Sequence, residues 1–343
     1  MKTGNAQAQS PPPAAQRAKS LDEGRTLRQG APRSCHAEWE PPPNRPDPVA
    51  VLLATSKNRL DHLLALRYGR MSQSPFAYMR GAAAMMAADL ATTPTNGIRV
   101  QACGDCHLGN FGAFASPERR VLFDITDFDE TLPGPWEYDV KRLATSFVLL
   151  ARHQGYNATT VRNVVKTMLR SYRFRTHEFA DMAPLDIWYY IIDSELLIRT
   201  APDKATRRRR ERFEKKARAR TAEQLLGKLM VEDNGHVRFI DQRPVIARLD
   251  PGGELERSFR TVLERYPQSL SDDRRLLLSR YQLADLAFKV VGVGSVGTRC
   301  AVALYSSPAG RRLVLQVKEA CPSVLEPFVG KGVFAHQGQR VVV

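Results

Sequence analysis

The sequence predicts an α+β fold in which a mostly helical part precedes a small β-rich part. Apolar residues recur at helical spacing through residues 51–66, 76–90 and 136–152, as expected of amphipathic or buried helices. Short apolar runs at residues 98–103 and 121–125 are bounded by turn-forming residues instead, which is typical of strands. The chain has 343 residues, 43% of them hydrophobic, so it is long enough to bury a sizeable core.

The N-terminal segment, residues 1–48, differs from the rest of the chain. It is rich in Pro, Ala, Arg and Gln and contains Pro-Pro-Pro twice. Such a composition cannot bury enough apolar surface to offset the entropy of ordering, so it predicts a disordered tail. The sequence around Trp39 is expected to be a solvated linker. We expect the helical part over residues 49–289 and the β-rich part over residues 290–343.

Three further elements are expected between these limits. Residues 158–198 read as two helices, with the apolar run at residues 188–192 in the core. A hairpin over residues 231–240 is indicated by Asn234 and Gly235, which favour a tight two-residue turn. Residues 272–289 are amphipathic and predict a helix.

The positive charge is concentrated in one segment. The net charge is +15, and residues 204–220 carry ten basic and two acidic residues, which gives +8. The only aromatic residue there is Phe213, so the segment lacks the stacking groups of a single-strand binder. It is therefore interpreted as a solvated helix face, or as a surface for nucleic acid, an acidic substrate or an acidic partner.

Membrane and thiol functions find little support. No run of about 18 apolar residues exists, and the first residues lack the apolar core of a secretory signal, so we expect a cytoplasmic protein that does not bind membranes. Cys103 and Cys106 form a C-x-x-C pair among five cysteines. A structural zinc site needs a second such pair or a His pair, which the sequence does not contain.

An acidic stretch stands out in this basic chain. Asp105 precedes Asn110 by five residues, and Asp127 and Asp129 follow the strand-like run 121–125. Phosphoryl transfer uses such a set, with one carboxylate to orient or deprotonate the attacking hydroxyl and an Asn and a second carboxylate for magnesium. The alternative is that Asp and Asn only form turns here.

At these residues the sequence resembles known families. The run 104–110, Gly-Asp-Cys-His-Leu-Gly-Asn, resembles the GDxHxxN catalytic loop of the aminoglycoside-phosphotransferase and protein-kinase-like superfamily, and the run 127–129, Asp-Phe-Asp, is similar to its metal-binding DFG or DFD element. With residues 67–90, 292–299 and 315–320, these motifs resemble the bacterial DUF2252 family over roughly residues 47–340.

The resemblance implies a role for each acidic residue. Asp105 corresponds to the catalytic base, Asn110 and Asp127 to ligands of Mg²⁺, and Asp129 to an accessory ligand. The implied cofactors are Mg²⁺ and ATP or another nucleoside triphosphate. Asp139 corresponds to a residue that braces the catalytic loop through its backbone amides.

Two basic residues near this stretch have two interpretations each. His107 supports the catalytic loop by hydrogen bonding, or it assists proton transfer because its ordinary pKa is near neutrality. We favour the supporting role, since the resemblance assigns the base to Asp105. Arg80 either pairs with a carboxylate or places its guanidinium on a phosphate.

A glycine-rich motif lies near the C-terminus, formed by Gly292, Gly294, Ser295 and Gly297 between strand-like runs. A third strand-like run ends at Lys318. Small lobes of kinase-like proteins cover and neutralise phosphates with such a hairpin and a following lysine. No helix follows the motif, which counts against a Rossmann fold. The alternative is a glycine hairpin beside an exposed lysine.

The order of these motifs is unusual, because in ordinary kinases the glycine loop and lysine precede the catalytic Asp. The sequence therefore predicts a circularly permuted kinase-like fold with a helical large lobe. Glu319 and Glu326 are candidate partners for Lys318, although neither has the usual spacing. The family pattern continues with helical sequence where this chain stops, just after Arg340, so we expect a truncated product.

The expected function is Mg²⁺-dependent binding of a nucleotide and transfer of a phosphoryl or nucleotidyl group to an acceptor that the sequence does not identify. One alternative is an inactive, nucleotide-sensing pseudokinase. Another is a polyanion-binding protein that uses residues 204–220.

Overall fold

The computed structural model describes residues 14–219, 227, 229–233 and 236–343, and it mixes helices with small antiparallel sheets, which confirms the α+β class. The helices are α1 (Ala14–Gly30), α2 (Pro48–Ala54), α3 (Leu64–Met71), α4 (Pro75–Gly81), α5 (Ala83–Ala91), α6 (Trp136–His153), α7 (Ala158–Ala180), α8 (Pro184–Trp188), α9 (Ser194–Arg199), α10 (Lys204–Ala219), α11 (Glu254–Arg265), α12 (Asp272–Leu278), α13 (Glu326–Val329) and α14 (Gln337–Val342). The strands are β1 (Arg99–Ala102), β2 (Phe111–Ala115), β3 (Val121–Ile125), β4 (Leu132–Pro135), β5 (Met230–Asp233), β6 (His236–Phe239), β7 (Ile246–Arg248), β8 (Gln282–Lys289), β9 (Cys300–Ser306) and β10 (Arg312–Lys318).

The chain forms two compact units. The first contains residues 1–51, 74–217 and 322–343, and the second contains residues 52–73 and 218–321. Strands β7 and β8 precede residue 290, yet they belong to the same sheet as β9 and β10. The β-rich unit therefore begins well before residue 290.

The first unit is built around two short antiparallel pairs and the helix α6. Strand β1 pairs with β4, and β2 pairs with β3. Helix α4 begins at Pro75, because Ser74 Oγ accepts a hydrogen bond from Ala77 N at 3.0 Å and Pro75 occupies the first helical position. Helices, strands and the C-terminal segment all contribute to one hydrophobic core of this unit. Its buried residues are Ala87, Leu90, Ala102, Leu132, Tyr138 and Leu325.

The second unit is organised by a four-stranded antiparallel sheet in the order β10-β9-β8-β7. Side chains alternate between the two faces of the central strand β9. Ala301, Ala303 and Tyr305 pack in one cluster with residues of α11 and α12. Val302 and Leu304 pack in a second cluster with the β5–β6 hairpin. Both faces of this strand are thus buried.

The β5–β6 hairpin confirms the pairing predicted over residues 231–240, and its turn at residues 234–235 lies outside the described residues. The helix predicted over residues 272–289 is wrong in its second half. Helix α12 ends at Leu278, and Gln282–Lys289 is strand β8. Hydrogen bonding to β9 on one side and β7 on the other overrides the local helical pattern.

The prediction of a buried run at residues 188–192 is also wrong. Trp188 is 82% exposed and Tyr189 70% exposed. Three helices, α7, α8 and α9, replace the two that were predicted. Helix α8 has only five residues, so the apolar run after it does not continue one helical face. Ile192 instead lies alongside β3, where its carbonyl accepts a hydrogen bond from Phe123 N at 2.7 Å.

The described part of the N-terminal segment contains structure where composition predicts disorder. Helix α1 is exposed at nearly every position from residue 18 onward. Further on, Trp39 Nε1 donates to Thr92 Oγ1 at 3.1 Å. Arg45 forms a two-bond ion pair with Asp89 at 2.7 and 2.9 Å. Among the described residues, no helix is long and apolar enough to cross a membrane.

Candidate functional site

Two loops of the first unit meet because of how its strands pair. Phe111 pairs with Ile125 in the β2–β3 hairpin, so the residue before β2 and the residue after β3 lie at the same end. Both Thr126 N and Thr126 Oγ1 donate to the carbonyl of Asn110, at 2.8 and 3.1 Å. Loop 103–110 and loop 126–131 therefore face each other.

Gly104 permits this close approach. Its φ of +81° lies in the left-handed region, which residues with a side chain rarely adopt. A Cβ atom at this position would lie 2.3 Å from the carbonyl oxygen of Glu130. Only glycine therefore allows loop 103–110 to touch loop 126–131 at this point.

One face of α6 holds loop 103–110 in place. Asp139 accepts hydrogen bonds from the amides of Cys103 at 2.6 Å and Gly104 at 3.0 Å, which confirms the bracing contact expected of it. Two turns along the helix, Ser146 Oγ accepts from Leu108 N at 3.2 Å. Residues three to four positions apart share a helical face, so α6 anchors the loop at both of its ends.

Arg142 holds Asp105 from the same face of α6. Its side chain is only 2% exposed. The guanidinium donates from Nε to Asp105 Oδ1 at 2.7 Å, and its Nη2 donates to the same oxygen and, at 2.9 Å, to the carbonyl of Met79. Arg142 was not among the residues that the sequence indicated. Its position three residues after Asp139, on the bracing face, is the signal that could have revealed it.

The Asp105 carboxylate is mostly shielded from water, with 21% of its side chain exposed. Burial raises its pKa to about 6, because the loss of hydration outweighs the stabilising charge of Arg142. The charge of Asp127 raises that pKa further, while Arg80 lowers it. The group is therefore ionised at neutral pH and has a pKa close to that of an effective general base.

His107 is buried beneath the loop and supports it. Its Nδ1 accepts a hydrogen bond from Gly109 N at 3.1 Å, so the neutral ring carries its proton on Nε2. Nε2 lies 3.6 Å from Asp105 Oδ2. Burial, with the charges of Arg142 and Arg80, lowers the pKa of His107 to about 3. A ring that stays neutral across the physiological range fits the supporting role and not that of a proton acceptor.

Asn110 ends loop 103–110, and Asp127 lies on the facing loop 126–131. Asn110 Nδ2 donates to the carbonyl of Asp105 at 2.8 Å, which leaves its Oδ1 as the atom able to bind a cation. The carbonyl of Asp127 accepts from Cys103 Sγ at 3.6 Å. Magnesium prefers one or two carboxylates with several waters, and Asp127 and Asn110 carry side-chain oxygen atoms of the kind it binds. Within the described ranges, no three His, Cys, Asp or Glu side chains converge as a closed metal cage.

The C-terminal segment supports loop 126–131 from its other side. Arg340 donates to the carbonyls of Asp129 at 2.8 Å and Thr131 at 2.6 Å. Glu130 accepts from Val324 N through its carboxylate, and from Ser323 Oγ through its carbonyl, each at 2.7 Å. Burial raises the pKa of Glu130 to about 7, and the charges of Asp105 and Asp129 add to the shift.

Arg80 lies beside this loop, at the end of α4. Its charge lowers the pKa of both Asp105 and His107. Its Nε is buried and makes no hydrogen bond to the residues that the structure describes. No carboxylate within the described ranges lies at ion-pair distance from it.

In the second unit, the glycine-rich motif forms the connection between β8 and β9. Arg59 Nη1 donates to the carbonyls of Gly294 at 2.7 Å and Val296 at 2.6 Å, and Arg70 Nη1 donates to Gly292 O at 2.8 Å. Gly297 has a φ of +90°. Two arginines from an early part of the chain therefore fix the shape of this loop.

Lys318 ends β10 next to the glycine-rich loop. It pairs across the sheet with Cys300, the first residue of β9, which comes three residues after Gly297. The two candidate partners of Lys318 are engaged elsewhere. Glu319 pairs with Arg299 at 3.1 Å, and Glu326 accepts from a glutamine. The second unit thus brings together Gly292, Gly294, Ser295, Gly297 and Lys318, as the first unit brings together Asp105, His107, Asn110, Asp127 and Arg80.

A protein-family model matches residues 59–343, a range that contains both facing loops, the bracing helix α6 and the glycine-rich loop. The family is DUF2252, described as an uncharacterized protein conserved in bacteria. The chain belongs to the DUF2252 family. No curated protein and no solved structure matches it.

The residues that sequence reasoning missed in this DUF2252 chain share one property. Arg59, Arg142 and Arg340 each act on a loop far away in sequence, through backbone carbonyls or a buried carboxylate. Arg59 and Arg340 have no local motif that marks them, and Arg142 is marked only by its spacing from Asp139. The acidic and glycine-rich loops were recognisable because their residue types and spacing are local.

Proposed function

We propose that this DUF2252 protein binds a nucleoside triphosphate with Mg²⁺ and transfers a phosphoryl group to a hydroxyl acceptor. The observation that carries the proposal is the pair of facing loops, which bring Asp105 close to Asp127 and Asn110. A base and a metal-binding pair on adjoining, rigidly braced loops are what phosphoryl transfer requires.

Each residue has one task in this proposal. Asn110 Oδ1 and Asp127 hold the metal, with Asp129 as an accessory ligand. Bound Mg²⁺ supplies positive charge to the phosphate oxygens. The acceptor hydroxyl gives its proton to Asp105 as its oxygen bonds to the terminal phosphorus. The bond from that phosphorus to the leaving nucleoside diphosphate breaks in the same displacement. His107 and Arg142 keep Asp105 in position.

The second unit carries its own candidate phosphate-binding groups in this proposal. The loop with Gly292, Gly294, Ser295 and Gly297 lets backbone approach the phosphates closely, and Lys318 neutralises them. This assignment makes the fold a circularly permuted relative of the kinase-like fold. The antiparallel sheet with a glycine-rich turn and a terminal lysine supports it. Arg80 is assigned to the transferred phosphate because it lies beside Asp105 and His107.

The test is thermal unfolding of the full chain with ATP and other nucleotides, with and without MgCl₂. A ligand that binds only the folded state, at about 100 times its dissociation constant, stabilises by about 2.7 kcal/mol. We expect stabilisation only when nucleotide and Mg²⁺ are both present, and its loss in Asp127→Asn. Asp186→Asn, on the exposed face of α8, is the matched control. Equal stabilisation of Asp127→Asn and the parent protein would remove Asp127 from the proposed site.

A second measurement, the release of phosphate from ATP, separates an enzyme from a nucleotide-sensing pseudokinase. An active transferase releases phosphate from ATP slowly when water replaces the acceptor, and Asp105→Asn abolishes that release. A pseudokinase shows the magnesium-dependent stabilisation with no release in the parent protein or the variant.

Polyanion binding by the basic segment remains a second candidate, supported by the orientation of α10. Arg210 donates to the carbonyl of Leu197, and Glu214 accepts from Ser194 Oγ, so these two residues attach the helix to α9. The exposed basic side chains on the remaining faces include Arg208, Arg209, Arg212, Lys215 and Lys216. Binding of RNA there should weaken steeply with salt. A salt-independent affinity would exclude this candidate.

A further inference from the structure

The first unit contains a cavity of about 920 Å³ that the proposed site does not use. It lies between residues 35–48 on one side and α4, α5 and α6 on the other. The Arg45–Asp89 ion pair and the Trp39–Thr92 hydrogen bond fasten residues 35–48 across it. Pockets for small molecules typically measure about 300–1,000 Å³, so this cavity has the size of a ligand site.

Most of the cavity wall is apolar. Met79, Met85, Met86, Leu90 and Leu149 all contribute to the lining. Methionine side chains are flexible and polarisable, so they adapt to ligands of different shape. The wall therefore suits an apolar body of variable form.

The polar groups at the wall include three on basic side chains. Lys141 Nζ uses two of its three N–H groups, on Thr93 Oγ1 at 2.7 Å and on Pro94 O at 3.4 Å. His36 Nδ1 is buried and has no partner among the described residues. Arg142 Nη1 points at Met86 Sδ, 3.2 Å away. A thioether is a weak acceptor, so a buried guanidinium N–H is left poorly satisfied there.

The acidic side chains that line the cavity do not pair with these three basic side chains. Asp89 is paired with Arg45, and Glu38 is exposed. Glu137 lies one turn before Lys141 on α6, and its charge opposes the lowering of the Lys141 pKa that burial causes. That carboxylate is not part of the cavity wall. An acceptor inside the cavity would thus meet Lys141 and Nη1 of Arg142, while Nε and Nη2 of the same guanidinium stay on Asp105.

We propose that this cavity binds a small carboxylic acid with a mainly apolar body, its carboxylate held by Lys141 and Arg142. The carboxylate replaces the thioether as the acceptor for Arg142 Nη1 and takes the remaining N–H of Lys141. Charge-assisted hydrogen bonds of this kind are about twice as strong as neutral ones.

The site is linked to loop 103–110 through one side chain. Arg142 lines the cavity and also holds Asp105 Oδ1. A carboxylate that draws the guanidinium toward the cavity weakens its hold on Asp105. Binding energies of two such sites are coupled reciprocally. The carboxylic acid binding itself does not depend on the function proposed for Asp105.

The test is calorimetric titration of the full chain with two matched pairs of probes, dodecanoate with dodecanol and 2-naphthoate with 2-naphthylmethanol. At least one acid should bind with one-to-one stoichiometry, and at least tenfold more tightly than its alcohol. Lys141→Met should weaken the acid at least tenfold and leave the alcohol unchanged. Ala144→Trp, which fills the cavity from α6, should abolish binding of both.

Lys166→Met removes an exposed lysine of α7 and should leave all affinities unchanged, which controls for attraction by the net positive charge. Unfolding temperatures of the three variants show that each is folded. Equal affinity for acid and alcohol, undiminished binding to Ala144→Trp, or no binding of either acid would each overturn the proposal.

Discussion

Arg142 Nε lies 2.7 Å from Asp105 Oδ1, so a buried arginine of α6 holds the carboxylate that we propose as the base. Burial raises the pKa of Asp105, because the carboxylate loses hydration. The positive charge of Arg142 opposes this effect and lowers the same pKa. It also fixes the direction of the carboxylate, since both bonds go to the same oxygen and leave Oδ2 for another partner.

Replacing this arginine should therefore affect turnover more than binding. In Arg142→Lys the charge remains, but the two bonds to Oδ1 cannot both form. We expect release of phosphate from ATP to fall about 100-fold, a typical contribution of a positioned general base. The stabilisation by nucleotide and Mg²⁺ should be retained. Arg152→Lys, at the exposed end of α6, is the control, and unchanged turnover in Arg142→Lys would contradict the positioning role.

Gly104 and Gly97 offer a matched pair for testing the contact between the loops. Both have positive φ, +81° and +85°, but a Cβ at Gly97 would meet nothing within 4 Å, whereas one at Gly104 would meet the Glu130 carbonyl at 2.3 Å. Alanine at either position costs about 1 kcal/mol for the backbone conformation. Gly104→Ala should cost at least about 2 kcal/mol more, as overpacking does. Urea denaturation measures the difference, and equal losses would mean that the loops separate easily.

Glu130 should make stability fall as the pH rises. Its folded pKa of about 7 lies above its ordinary value of 4.5. The stability it contributes is therefore fully present below pH 4.5 and is lost as the pH rises through about 7. In Glu130→Gln this loss, on the order of 2 kcal/mol, should disappear, so the variant gains on the parent toward pH 8.

The measurement is urea unfolding between pH 5 and 8 in the presence of a chelator, which removes effects of divalent ions. Glu195→Gln, exposed on α9, serves as the control and should follow the parent protein. Parallel pH profiles for the parent and Glu130→Gln would show that the Glu130 carboxyl titrates normally.

The proposed contribution of Lys318 to nucleotide binding is testable by replacing this lysine. If its ammonium neutralises nucleotide phosphates, Lys318→Met should weaken nucleotide binding in the presence of Mg²⁺ at least tenfold, or about 1.4 kcal/mol. Lys331→Met removes an exposed lysine near the C-terminus and should have no effect. An affinity unchanged in Lys318→Met would remove the lysine from the proposed site and with it the argument for a permuted kinase-like fold.

The sequence could predict the features that depend on neighbouring residues, but not those that depend on contacts between distant parts of the chain. The loop of Asp105 and Asn110, the strand before Asp127, and strands β9 and β10 after the glycine-rich loop follow from local spacing and alternation. Asp139 could be assigned its bracing contact because the resemblance covers that position. The positions of Arg59 and Arg340 could not be anticipated, since each contacts a loop more than 200 residues away.

The errors have the same origin. Gln282–Lys289 carries a pattern compatible with a helix, and only its hydrogen bonds to β7 and β9 make it a strand. Trp188 and Tyr189 are apolar enough for a core. Helix α8 ends at Trp188, however, and the chain then turns toward β3. Tertiary pairing decided both cases.

The contacts of Arg340 with the carbonyls of Asp129 and Thr131 also affect when the site can form. These hydrogen bonds join residues 211 and 209 positions apart. During translation, loop 126–131 leaves the ribosome long before residue 340 is made, so it lacks these bonds while residues 218–321 of the second unit are synthesised. Closing such a distant contact is slow compared with forming a local helix. The hydrogen bonds that support this acidic loop from the C-terminal segment are therefore completed only after residue 340 has been synthesised.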